Sequence, residues 1–292
     1  MAFYAGCRTV ELQDAMGEVR FPLVVMYPTS VPEKTERLGP YTLDFALEAE
    51  PAPGPFPLVL ISHGTGGSPL VYRDLARHLA RHGFVVGLPE HPFNNRNNDA
   101  LAHTVQNLIN RPRHLRVAAD WFFANEAFAA VLKPDAFAVI GHSMGGYTAL
   151  ALAGGMPTSV PYESPDHLPH RIEIEADPRL KALVLLAPAT AWYREPGALS
   201  KVQVPLFMMV GDKDEFMPND FHSRLVREGV AGPVQERLIE NAGHFAFLTP
   251  FPEAMSNPAF PPSQDPPGFD RVAFQVEMNA EVLAFLRQQM PA

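Results

Sequence analysis

The chain is poor in residues that would staple or anchor it. It holds one cysteine in 292 residues, Cys7, which excludes an internal disulfide and a cysteine-built zinc cluster. No run approaches the ~18 uninterrupted apolar residues of a membrane-spanning helix, so no span is expected. The first twenty residues mix charges along their length, with no basic stretch leading into an apolar one, and no secretory leader is read there. These absences together give the expectation of a cytoplasmic protein. Basic residues are also in the minority: 23 Lys and Arg against 32 Asp and Glu leave a net charge of −9. Nucleic acid and anionic membrane would be repelled and are not expected partners.

What is present points to a large buried core. Hydrophobic residues make up 47% of the chain, enough for one α/β domain over residues 1–292. Proline is abundant, at 31 residues, and clusters at 51–57, 156–169 and 250–267. Because proline lacks a backbone donor, these clusters read as connections or lids rather than strand or helix interiors. Cap-like insertions are therefore expected at about 154–178 and 246–270.

Residues 20–27 and 43–47 read as strands of an opening antiparallel portion. The apolar run at 58–62, between Pro57 and Gly64, predicts a strand buried on both faces. A helix is expected over about 72–82, with Gly83 as its C-terminal cap. Further strands are predicted at 84–88, 136–140, 181–186, 204–210 and 234–239. Helices are predicted at 113–125, 144–153 and 271–289, with helical material also after the strands at 181–186 and 204–210. Such alternation implies right-handed crossovers and a mostly parallel sheet flanked by helices. Sites on such sheets lie beyond the carboxyl ends of the strands.

Chemistry-bearing residues fall there. The predicted strand 136–140 runs into Gly141-His-Ser-Met-Gly145 and then a helix, placing G-x-S-x-G in a strand–turn–helix setting. Side chains two before or two after the serine would collide with backbone in so tight a turn, so Ser143 is expected in a strained, exposed position as nucleophile. The strand at 58–62 ends in Ser62-His-Gly-Thr-Gly-Gly67. Its glycines allow a main-chain N–H to turn inward, and the backbone N–H groups of Thr65 and Met144 are the expected oxyanion donors. The His63 side chain is read as shaping that loop.

Of eleven histidines, His244 in the loop after the last predicted strand is the candidate base. His142, next to the nucleophile, is expected to point away within the turn. The acid should follow the strand 204–210. Asp212 and Asp214 both qualify, with Glu215 behind them, and composition does not separate the two aspartates.

These residues make the chain resemble the α/β-hydrolase superfamily. Within it, the chain is most similar to bacterial proteins akin to dienelactone hydrolases and platelet-activating-factor acetylhydrolases. The closer likeness rests on Met26-Tyr-Pro28, Gly39-Pro-Tyr41, His82-Gly-Phe84, Glu90-His-Pro92 and Arg111-Pro-Arg113, together with the two glycine motifs above. The superfamily places its acid at the end of a G-x-x-D pattern, which here implies Asp214. Dienelactone hydrolases proper resemble a cysteine-nucleophile arrangement; serine stands in that place here, and an ordinary ester substrate is implied.

The expected reaction is acyl transfer through a Ser143–His244–Asp214 triad on a small carboxylic ester, with no cofactor and no metal. The same residues would serve a thioesterase, a peptidase or a C–C hydrolase, and a non-catalytic binding protein is the rival from another class. His142, Phe216 and Phe245 are the candidate substrate-binding residues. Trp192, Tyr193, Phe247 and Phe251 are further candidates for an apolar acyl wall. The polar stretch 90–98 is read either as a headgroup site or as a cap on the sheet.

Overall fold

A computed structural model describes residues 3–291. Among these, ten strands form one sheet in the order β10-β9-β8-β7-β5-β6-β2-β1-β4-β3. In chain order they are β1 (Tyr4–Asp14), β2 (Val19–Thr29), β3 (Lys34–Leu38), β4 (Tyr41–Leu47), β5 (Phe56–Ser62), β6 (Val85–Pro89), β7 (Leu132–His142), β8 (Leu180–Leu186), β9 (Leu206–Gly211) and β10 (Val234–Ile239). The helices are α1 (Arg73–Arg81), α2 (Val105–Ala124), α3 (Glu126–Ala129), α4 (Met144–Leu152), α5 (Ser223–Gly229) and α6 (Arg271–Gln289).

From β6 through β10 every neighbouring pair is parallel. Each residue of β5 is buried, as its uninterrupted apolar run requires, and alternate side chains feed two cores. Leu58 and Leu60 pack on the side of Leu115 and Phe122 of α2 and Leu150 of α4. Val59 and Ile61 pack on the side of Leu75 and Leu79 of α1 and Met278 and Val282 of α6. Helices therefore cover both faces, and the carboxyl ends of the parallel strands are left open for loops.

Several expectations are corrected. The opening portion is larger and not wholly antiparallel: β1 and β3 add to the two strands expected, and β4 pairs parallel with β1 at Gly6–Ala46 and Cys7–Leu47. The helix expected to begin at Arg113 begins eight residues earlier at Val105, with Thr104 Oγ1 capping the Asn107 N–H at 3.2 Å. Pro112, just before the expected start, lies inside α2. The connection from β8 to β9 carries only a short 3₁₀ turn, Ala191–Tyr193, where helical material was expected. The 72–82 helix is preceded by a separate 3₁₀ turn, Pro69–Tyr72, and Gly83 follows it with φ +89°, the left-handed backbone a glycine takes at a helix end.

Candidate active site

The turn between β7 and α4 holds Ser143 at φ 54°, ψ −118°, which costs a non-glycine residue strain. The flanking glycines make it possible. A Cβ on Gly141 would lie 2.2 Å from the Gly145 carbonyl oxygen, and one on Gly145 would lie 2.0 Å from the Ser62 carbonyl oxygen. Neither position has room for another carbon. The turn is tied down by the Ser143 N–H to Leu186 O (3.0 Å), and by Gly146 and Ala189 N–H groups to Ser143 O (2.8 and 2.9 Å).

His244 opens a 3₁₀ turn after β10, and its Nδ1 meets Asp214 Oδ2 at 2.8 Å. Asp214 is 7% exposed, whereas Asp212 lies at the surface near Lys213, with no bond to the imidazole. Burial works to raise the Asp214 carboxyl. The hydrogen bond and charge of His244, with the Met217 N–H, outweigh it and hold the group below the ordinary aspartate value. Its Oδ1 accepts the Phe216 and Met217 N–H groups at 2.9 and 2.8 Å, which leaves Oδ2 aimed at the ring. An ionised Asp214 fixes the proton on Nδ1, so Nε2 is the basic nitrogen. Ser143 and His244 line one cavity of about 270 Å³. Among the described residues the Ser143 hydroxyl makes no hydrogen bond to the imidazole.

The loop after β5 approaches the serine from above. A Cβ on Gly64 would lie 3.3 Å from Ser143 Cβ, so only glycine lets the two segments come this close without adjustment. The Thr65 and Met144 N–H groups meet no acceptor among the described residues, and both residues lie against the serine. Met144 is also the first residue of α4, where backbone donors are unused and the helix dipole favours negative charge.

A family model of the α/β-hydrolase fold matches residues 57–161. A ferulic acid esterase from Streptomyces cinnamoneus superposes with a TM-score of 0.74 at 17% identity, covering 99% of this chain and 91% of that one. The chain has the α/β-hydrolase fold. A comparison with curated proteins finds no significant sequence match.

Other expected residues of this hydrolase fold take varied places. His142 does not simply turn away from the site. Its ring lies 4.9 Å from that of His244, Nε2 donates to the His244 carbonyl at 3.0 Å, and Nδ1 accepts the Tyr72 hydroxyl at 2.9 Å. With both nitrogens used, it holds the His244 loop from beneath. Burial, then the neighbouring His244, push His142 down to about 3, so it stays neutral. Phe216 and Phe245 stack edge-to-face 5.2 Å apart on the cavity wall, joined by Phe251, Phe260 and Pro262 from the segment 246–270. Tyr193 and Phe247 are core residues, 3% and 1% exposed. Trp192 lines a second cavity of about 290 Å³, which shares Thr65, Ser143 and Met217 with the first.

His91, Asn94 and Asn95 of the stretch 90–98 turn inward, and Asn94 braces the loop after β5. Asn94, fully buried, donates to Thr65 Oγ1 at 2.9 Å and accepts from Arg111 Nη1 at 2.6 Å. Arg111 also donates to the His63 carbonyl and, at 3.0 Å, to Thr148 Oγ1 of α4. It thus ties the loop after β5 to α4. Burial draws this guanidinium down to about 9. His63 Nδ1 donates to Gly64 O at 2.7 Å and Nε2 accepts the His91 N–H at 3.0 Å, so its side chain shapes the loop from behind. Sequence reading missed Arg111 and Asn94 as organisers of the site. The Arg111-Pro-Arg113 and Glu90-His-Pro92 stretches, and the polar run 90–98 after its strand, signalled that these segments matter.

Proposed function

We propose that the protein is a serine-dependent carboxylic ester hydrolase working through Ser143, His244 and Asp214. The observation that carries this is the convergence on Ser143, a strained serine shared by two adjoining cavities, of an aspartate-held histidine from the first and two unused backbone N–H groups, that of Thr65 in both and that of Met144 in the second. His244 Nε2 takes the Ser143 proton as Oγ attacks the ester carbonyl. The carbonyl oxygen then becomes an oxyanion facing the Thr65 and Met144 N–H groups, where a donor contributes ~10²–10³ in rate. Collapse of that intermediate expels the alcohol, which leaves with the proton from His244, and an acyl-serine remains. Water attacks in turn, with His244 again as base, to free the acid. Asp214 stays ionised throughout and stabilises the imidazolium.

An ester suits this site better than an amide because an alkoxide departs more readily. The apolar, aromatic wall of the first cavity fits a small organic ester. The ester chemistry of the structurally similar ferulic acid esterase points the same way. The closer relationship to dienelactone-hydrolase-like and acetylhydrolase-like serine esterases is part of the same reading. So is a single hydrolase domain whose segments 154–178 and 246–270 act as covers.

The test is covalent labelling with a fluorophosphonate, alongside turnover of p-nitrophenyl esters and matched amides. Labelling lost in Ser143→Ala, with turnover down by ~10⁴–10⁶, is expected. Faster cleavage of amides than of matched esters would overturn the esterase reading.

A further inference from the structure

The second cavity differs from the first in chemistry. It begins at Ser143 and ends at Glu163 and Trp192, with Asn107 and Tyr162 in its wall. Glu163 is only 7% exposed, and among the described residues no Lys, Arg or His forms a salt bridge with it. Its oxygens accept the Trp192 Nε1–H at 3.0 and 2.9 Å and the Val160 N–H at 2.9 Å. These bonds orient the carboxylate without neutralising it; Oε2 accepts two donors, and Oε1, with one, keeps capacity for another. Burial lifts its carboxyl above the ordinary glutamate value, against those bonds and His103. Asn107 is 3% exposed, and its side-chain amide has no hydrogen-bond partner among the described residues. Two histidines also line the wall: His103, which forms no salt bridge with Glu163 among the described residues, and His222, which accepts the Thr190 N–H on Nδ1 at 3.0 Å and is held below its ordinary value by burial.

A buried carboxylate without a counter-ion is costly unless something pairs with it. Two aromatic rings and an idle amide carbonyl beside it complete a set of acceptors suited to a protonated amine. His244, which passes its proton to the leaving oxygen, lines the first cavity and not the second. The alcohol therefore belongs in the aromatic cavity and the acyl group in the cavity of Glu163.

Resting on the ester hydrolase reading, we infer that the preferred substrate is an ester whose acyl group carries a protonated amine, received by Glu163 and Asn107. The chain's net charge of −9 would draw such a cation in.

Benzyl esters of straight-chain ω-amino acids with two to six carbons test this, each paired with the alkanoate in which methyl replaces ammonium. At the best-fitting length the wild-type protein should favour the amino ester in kcat/KM by ~10-fold or more, as expected for a hydrogen bond to a charged partner. In Glu163→Gln, which keeps the acceptor oxygen but not the charge, that ratio should collapse toward one; Asn107→Leu should lower it as well. A wild-type ratio at or below one at every length would overturn the inference. So would an equal loss on both partners in Glu163→Gln, the mark of a merely structural role. Phosphonate labelling separates the two readings: labelled protein with no amino preference sinks only this inference, whereas unlabelled protein that cleaves neither series sinks the hydrolase as well.

Discussion

At the scale of single residues, the site depends on which aspartate reaches the imidazole. Asp214 and Asp212 are two positions apart, but only Asp214 faces His244. Asp214→Asn should leave the ring in place with the wrong tautomer and lower kcat by ~10⁴. Asp212→Asn, at the surface, should stay close to wild type. Comparable losses in both, measured with one p-nitrophenyl ester, would remove Asp214 from the mechanism. Gly145 is a second decisive residue. Its Cα faces the Ser62 carbonyl so closely that Gly145→Ala must displace either β5 or the nucleophile turn. The expected result is a lowered Tm together with lost phosphonate labelling; a variant that kept both would show the turn to be looser than described. Both residues lie in motifs visible in the sequence. The pairing of Asp214 with His244 was implied there only by resemblance, because thirty residues of chain separate them.

At the scale of elements, α2 shows how an apparent breaker is accommodated. Pro112 has no N–H for the Leu108 carbonyl four residues back. Tyr147 of α4 fills that gap, its hydroxyl donating to Leu108 O at 3.0 Å. The Tyr193 hydroxyl in turn donates to the Tyr147 carbonyl at 2.8 Å. The proline thus leaves an acceptor that docks α2 onto α4, and brings Arg111 to the loop after β5 and to α4. Tyr147→Phe should cost about 1–3 kcal/mol in denaturant unfolding, the penalty for a buried acceptor left unsatisfied. Restoring the helical donor with Pro112→Ala should shrink that cost, giving a measurable coupling between the two sites. Strictly additive effects would mean that the Tyr147 bond does not compensate for the proline.

At the scale of the whole molecule, buried neutral histidines set the response to acid. His63, His114 and His142 are held down to about 3, and His91 well below its ordinary value, in each case mainly by burial. In the unfolded chain they take up protons near pH 6.5. Between about 6.5 and 3 the unfolded state therefore binds more protons than the native state, and stability falls as pH drops through that window. Above pH 6.5 these four contribute no slope. Asp74, Glu90 and Glu163, lifted by burial, offset part of the effect because they take protons first in the native state. A difference measurement removes that offset. His114→Gln should reduce proton uptake on unfolding at pH 5 by about one, read from stability against pH. An unaltered slope would mean that His114 is protonated in the native state.

Local pattern alone determined the parallel half of the sheet, the strained turn at Ser143, the glycine-rich loop and the histidine loop. Each of these is written in a short run: apolar residues buried on both faces, glycines where no Cβ fits, and chemical residues just past strand ends. The first strand, the true start of α2 and the parallel pairing of β4 with β1 needed the tertiary structure. β1 is held by partners far along the chain, and Pro112 is tolerated only because a tyrosine from another helix bonds the carbonyl it frees. The bracing of Thr65 by Asn94 and Arg111, and the hydrogen bond from Trp192 to Glu163, were likewise decided in three dimensions. Burial gives those polar groups their partners, and burial depends on which distant segments fold together.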